Sequence, residues 1–306
     1  MTISYEQTIH AYPGGGGAYI VARDNLGELP AQIAGAALLM DYILTVSVSV
    51  SSGVAQIASA YPELLPVRAL IAVGLVMLIA WINLRGVRES GAVFAIPTYF
   101  FLGTMLFTLI FGFVRYLTGS LGAVEAPPHL LQEHIQSISL FLILHAFANG
   151  TTALTGVEAI SNGITAFKEP RSHNAGVTLI WMSVILGTLF LGLTYLIGQI
   201  GAVPSEEETV ISQLARTVYE GRGIFYLIAV AATTLILIMA ANTAFADFPR
   251  LGALQAGDGY LPRQLTYKGS RLVYSRGVMT LAVIASILIL VFNASVSRLI
   301  PLYAIG

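Results

Sequence analysis

Asp41, Thr45 and Ser49 recur at four-residue intervals inside an apolar stretch, so a helix there carries a carboxylate and two hydroxyls along one face. All three present oxygen, which suits a hard cation or an exchangeable proton, and Tyr42 adds a phenolic oxygen beside them. A second acid, Glu158, stands three residues after Thr155 in another apolar stretch, one turn away if helix resumes at Gly156. An acid at the centre of a membrane helix costs roughly 2.5 to 3.5 kcal/mol on insertion scales, so such residues face a polar cavity or pathway. The pattern points to movement of a small polar solute or ion. Plainer roles compete at several positions. Thr45, Ser47, Ser49, Ser51 and Ser52 also suit close helix packing. Glu158 could cap freed amides at a helix break, and His145 is either a proton relay or a hydrogen-bonded core residue. Asn242 and Asp247 read as structural or gating residues.

Only membrane-spanning helices place these groups in apolar surroundings. Of 306 residues, 56% are hydrophobic and 10% charged, which lies outside the range of soluble domains and implies an all-α polytopic membrane protein. Fifteen Lys and Arg against sixteen Asp and Glu leave no basic face for nucleic acid. The absence of cysteine removes disulfides and thiolate metal sites, and the five histidines lack metal-ligand spacing. No HExxH or GxSxG motif occurs, so neither an enzyme nor a cofactor is expected. The first residues carry no signal-peptide pattern, so targeting falls to the hydrophobic spans.

Seven segments are long enough for a hydrocarbon core about 30 Å thick, near 31–60, 66–83, 92–118, 137–167, 175–200, 223–247 and 277–294. Alternate loops hold ten and five basic residues, and the excess places the turn at 14–17 in the cytoplasm and segment 205–220 outside. That segment reads as a short amphipathic helix, and its run Glu206, Glu207, Glu208 as a solvated face. The span 137–167 reads as a broken helix. Its centre carries Asn149, Gly150, Thr155, Gly156 and Glu158 at midplane depth, where unwound backbone survives only beside protein or a watery cavity. Broken helices of this kind build ion sites in secondary transporters.

The run Tyr12-Pro13-Gly14-Gly15-Gly16-Gly17-Ala18-Tyr19 and the segment Leu154-Thr155-Gly156-Val157-Glu158-Ala159 resemble the amino acid, polyamine and organocation permease superfamily. The segments from Ala240 to Leu251 and from Asp258 to Pro262 make the chain similar to its KimA-like branch of potassium/proton symporters. The resemblance implies a partial LeuT-type fold, with the seven spans as helices three to nine. It implies that Asp41, Tyr42, Thr45, Ser49, Thr155 and Glu158 hold potassium, with Asn149, Gly150 and Gly156 as broken-helix backbone. It also implies that residues 1–22 end a helix two, 23–297 form the transport domain and 298–306 begin a helix ten, without the family's helix one or nucleotide-sensing domain. The function expected is potassium uptake with protons across the cell membrane, in a multi-pass protein whose partners are the lipid bilayer, potassium and protons. The alternatives are a proton-coupled amino acid permease and a truncated, transport-inactive fragment.

Overall fold

The structure is a computed structural model, and it describes residues 2–15, 17–86, 91–128, 139–150, 160–161, 163–164, 167–269 and 273–303. No strand occurs among the described residues. In chain order the helices are α1 (Thr2–Ala11), α2 (Gly17–Leu26), α3 (Glu28–Ala60), α4 (Arg68–Leu84), α5 (Gly91–Leu117) and α6 (Leu140–Gly150). They continue with α7 (Arg171–Ile200), α8 (Val210–Val218), α9 (Ile224–Gly257), α10 (Ser275–Val291) and α11 (Val296–Tyr303). Helix is the outcome expected of apolar runs in hydrocarbon, because it satisfies each segment's backbone hydrogen bonds internally. Five described helical stretches are long and apolar enough to cross a membrane: Glu28–Ala60, Pro62–Leu84, Phe94–Leu117, Arg171–Ile200 and Ile224–Gly257. Leu140–Gly150 and Ser275–Val291 are shorter apolar helices. Leu70, Ile96, Phe141 and Leu191 project outward with more than two thirds of their surface exposed, as side chains do where lipid replaces water.

The expected span 223–247 runs on to Gly257. Asp247 at the end of the expected span and Arg250 in the extension lie one turn apart, 3.7 Å from each other, while Phe248, Ala253 and Ala256 of the extension are buried. The turn expected at Tyr61 to Pro66 is a 3-10 helix over Pro62–Val67, with proline at its first position, where a missing N–H is harmless.

The chain forms two compact units. One comprises Met1–Asp41, Ile138–Phe190 and Tyr303–Gly306, and the other Tyr42–Ser137 and Leu191–Leu302, so α3 and α7 each contribute to both. In the first unit, Ile9 of α1 packs with Ile164, Ala175 and Leu179, and Tyr5 and Met182 flank them. Hydrogen bonds fix this register, with Thr2 Oγ1 2.8 Å from Ser183 Oγ and Ser172 Oγ donating to the Ile9 carbonyl at 3.2 Å.

In the second unit α9 packs against α5, α10, α8 and α4, and α10 lies along α4. Asn83 Nδ2 donates to Asn242 Oδ1 at 2.8 Å and ties α4 to α9, which gives Asn242 a structural role. Gly277 of α10 meets Pro249 of α9 so closely that an added Cβ would sit 2.8 Å from the Pro249 Cβ and 3.0 Å from its Cα. Gly277→Ala should therefore force the helices apart and destabilise the protein by about 1–3 kcal/mol. The check is the thermal midpoint of the purified variant in detergent, where an unchanged value would show that this contact is not constrained.

The acidic run at 206–208 departs from the solvated reading at Glu206 and Glu208, while Glu207 is exposed. Glu208 is 8% exposed. It accepts from Arg216 Nε at 3.0 and 3.2 Å and from Ser212 Oγ at 2.9 Å, and that hydroxyl lies 2.8 Å from the Tyr226 hydroxyl. α8 in turn buries Leu214 and Val218 in a cluster with Leu109, Val124, Leu196 and Ile200. The short helix is thus packed into its unit, with an arginine neutralising the acid it carries inward.

Candidate ion-binding site

At 33 residues, α3 is about 50 Å long, more than the hydrocarbon core requires, so it tilts or protrudes. Asp41 lies thirteen residues from its Glu28 end, about 20 Å along the axis of a helix about 50 Å long. α3 is unbroken from Glu28 to Ala60, so Asp41, Thr45 and Ser49 do share one face. Each is partly exposed, while Tyr42 is buried at 5%. The neighbouring serines divide from them. Ser47 and Ser51 are buried, and Ser47 Oγ donates to the Ile43 carbonyl at 2.9 Å and lies 3.4 Å from the Ala285 carbonyl of α10. Ser47 is thus a packing hydroxyl, and Thr45 and Ser49 are placed apart from that contact.

α6 carries Asn149, partly buried, and Gly150, exposed. Asn149 Nδ2 lies 3.2 Å from His145 Nε2, and the His145 ring stacks on Phe141 at 6.0 Å. His145 is exposed among the described residues, and its contact with Asn149 is the hydrogen bond expected of it. Thr155, Gly156 and Glu158 lie outside the described residues.

The polar face of α3 extends further than Ser49. Ser52, Gln56 and Ser59 continue it at spacings of three, four and three residues, close to the helical repeat, and they help to line a cavity of about 330 Å³. Gln56 and Ser59 escaped the sequence reading although the same spacing rule identifies them. Both engage Thr209, which donates from Oγ1 to Gln56 Oε1 at 2.9 Å and from its backbone N–H to Ser59 Oγ at 2.9 Å. Thr209 also caps α8, accepting from the Ser212 N–H at 3.2 Å.

On the far side of that cavity, Arg68 pairs with Glu206 at 2.8 Å and donates from Nε to the Asn293 carbonyl at 3.0 Å. Ser295 Oγ donates to Glu206 Oε1 at 2.8 Å, and Ser297 Oγ donates to the same oxygen. Glu206 thereby joins the start of α4 to the start of α11. Burial works to raise its pKa, but the hydrogen bonds from Ser297 and Ser295 and the Arg68 charge outweigh it and hold the carboxyl below its ordinary value. A depressed pKa contributes stability that is present above the unfolded value, about 4.3, and lost as pH falls through the folded one. The gap in thermal midpoint between the wild type and Glu206→Gln should therefore be constant at neutral pH and narrow progressively on acidification. A gap that widens as the pH falls would contradict the pairing.

The described residues thus give apolar helical spans, with an oxygen-bearing face on α3. A sequence profile described as "Amino acid permease" matches residues 1–306. The chain belongs to the amino acid permease family. It is also 46% identical over 308 aligned residues to a Bacillus subtilis (strain 168) protein named potassium transporter KimA. That alignment takes in 100% of this chain and 50% of the relative, so this permease spans about half the length of the relative it matches. Family and apolar helices together make it a multi-pass protein of the plasma membrane, with an all-helical architecture consistent with a partial LeuT-type fold.

Proposed function

We propose that the full-length protein containing this chain takes up potassium by secondary active transport coupled to protons. The oxygen ladder of Asp41, Thr45 and Ser49 on one face of α3 carries this reading. Tyr42, Thr155 and Glu158 complete the ligand set, and the backbone around Asn149, Gly150 and Gly156 supplies further carbonyl oxygens. Every ligand is oxygen, as a hard monovalent cation of low charge density requires, and at least one ionised carboxylate balances its charge. The carboxylate not engaged by the ion can bind a proton, so the two acids give the site a means of coupling. The relative named as a potassium transporter supports the choice of ion.

The test is growth of a potassium-uptake-deficient strain at limiting potassium, using the full-length parent. Rescue that collapses the proton gradient as potassium enters is the expected result. Amino acid transport is the second reading, favoured by the family's description. An amino acid needs an acid for its ammonium and free helix amides for its carboxylate. Uptake of labelled amino acids without potassium uptake would establish it and displace the first reading.

A further inference from the structure

The junction of α5 with the turn between α8 and α9 carries a feature separate from the ion ladder. Phe107 and Phe111, one turn apart on α5, stack with ring centroids 6.0 Å apart and planes 3° from parallel. Tyr219 lies 6.0 Å from Phe111 and 5.7 Å from Phe225, and its hydroxyl is 2.7 Å from Thr108 Oγ1. Although the four rings pack together, Phe107, Phe111 and Phe225 remain 49%, 39% and 55% exposed. They form an exposed aromatic slab on the surface of the second unit.

Beside the slab runs an open groove of about 410 Å³, walled by Phe111, Val114, Val218 and Phe225 and closed at one end by Arg115, Thr118, Ser120 and Glu220. α5 ends at Leu117 and α9 begins at Ile224, so the polar end coincides with the helix ends, with Phe225 and Tyr219 beside it and Phe111 and Phe107 about two and three turns further along α5. This is the depth at which hydrocarbon gives way to head groups and at which aromatic side chains concentrate. The polar end holds one positive and one negative charge. The Arg115 side chain, 12% exposed, donates to the Val218 carbonyl at 2.8 Å, the Ser120 carbonyl at 2.6 Å and Glu220 Oε1 at 2.5 Å. Among the described residues these bonds use three of its five N–H groups. The Glu220 side chain is 75% exposed and presents its carboxylate to the head-group layer.

We propose that this groove binds one zwitterionic phospholipid with a primary-ammonium head group, of the phosphatidylethanolamine type. An acyl chain lies along Phe111 and Phe225, the phosphate meets the remaining N–H groups of Arg115, and the ammonium donates to Glu220. The balanced Arg115–Glu220 pair matches a head group of zero net charge. An anionic lipid would bring its phosphate up to Glu220 without a compensating cation, and a choline head has no N–H to give the carboxylate. The proposal is independent of the ion assignment.

The test titrates the purified, delipidated full-length protein with phosphatidylethanolamine, phosphatidylcholine and phosphatidylglycerol of identical acyl chains and reads occupancy of the first bound lipid by native mass spectrometry. The ethanolamine lipid should bind roughly fivefold more tightly than either of the others, the scale of one partly exposed ion pair. Glu220→Gln, which keeps a side-chain oxygen for Arg115, should erase the preference over phosphatidylcholine. Phe225→Ala should weaken all three lipids alike. Equal binding of the three lipids by the wild type would overturn the proposal. A preference for phosphatidylglycerol, or an ethanolamine preference that survives Glu220→Gln, would overturn it too.

Discussion

Asp41→Asn in the full-length parent should abolish potassium uptake while leaving membrane abundance unchanged. The amide keeps the size and much of the hydrogen bonding of the carboxylate, and a neutral side chain enters a membrane helix at lower cost than an acid. Folding is therefore not the step expected to fail. What disappears is a unit charge beside the ion. At about 4 Å and an effective dielectric constant near 20, that charge is worth about 4 kcal/mol, or roughly a thousandfold in affinity. Thr45→Val and Ser49→Ala each remove one neutral oxygen and should cost about tenfold, in line with about 0.5–1.5 kcal/mol for a neutral polar contact. Ion flux and membrane abundance measured together check the series. Normal uptake by Asp41→Asn would remove Asp41 from the site.

The largest loss of stability is expected at Glu208. Its side chain is 9% exposed and that of Arg216 14%, so truncating the acid leaves a guanidinium largely buried, with the Glu125 carbonyl, 2.7 Å from Arg216 Nη1, as its remaining hydrogen-bond partner among the described residues. Breaking one side of a buried pair costs about 3–5 kcal/mol, and Glu208→Met should lower the thermal midpoint accordingly. Replacing both partners by Met removes the stranded charge together with the pair, so the double variant should be more stable than Glu208→Met alone. A double-mutant cycle read by thermal unfolding in detergent decides this. Additive losses would mean that the two residues do not depend on each other.

Five of the seven expected spans were legible because hydropathy and helix length are properties of one continuous segment, while 277–294 is a shorter apolar helix, Ser275–Val291, and the centre of 137–167 lies outside the described residues. The ladder from Asp41 to Ser49 was legible for the same reason, since a helical repeat of 3.6 residues assigns a face without any partner being known. Ser52, Gln56 and Ser59 obey that repeat, and the reading stopped short of Gln56 and Ser59 because no second acid marks that end. The fates of Glu206 and Glu208 were not legible. Arg68 lies 138 residues before Glu206, and Ser295 and Ser297 lie 89 and 91 after it, so spacing along the chain carries no trace of the contacts that take that acid out of water. Ser47 and Ser49 differ only in which way the helix turns them, and the contact with the Ala285 carbonyl separates them only in three dimensions. Thr155 and Glu158 belong to the proposed site on their residue types and on resemblance, and they lie outside the described residues.

The most direct test of potassium symport uses the full-length protein in proteoliposomes, with internal pH and potassium content followed together. An inward potassium gradient should load the vesicles with potassium and acidify their lumen, and both signals should vanish in Asp41→Asn. Labelled amino acid accumulating while potassium and lumenal pH stay unchanged would contradict the account.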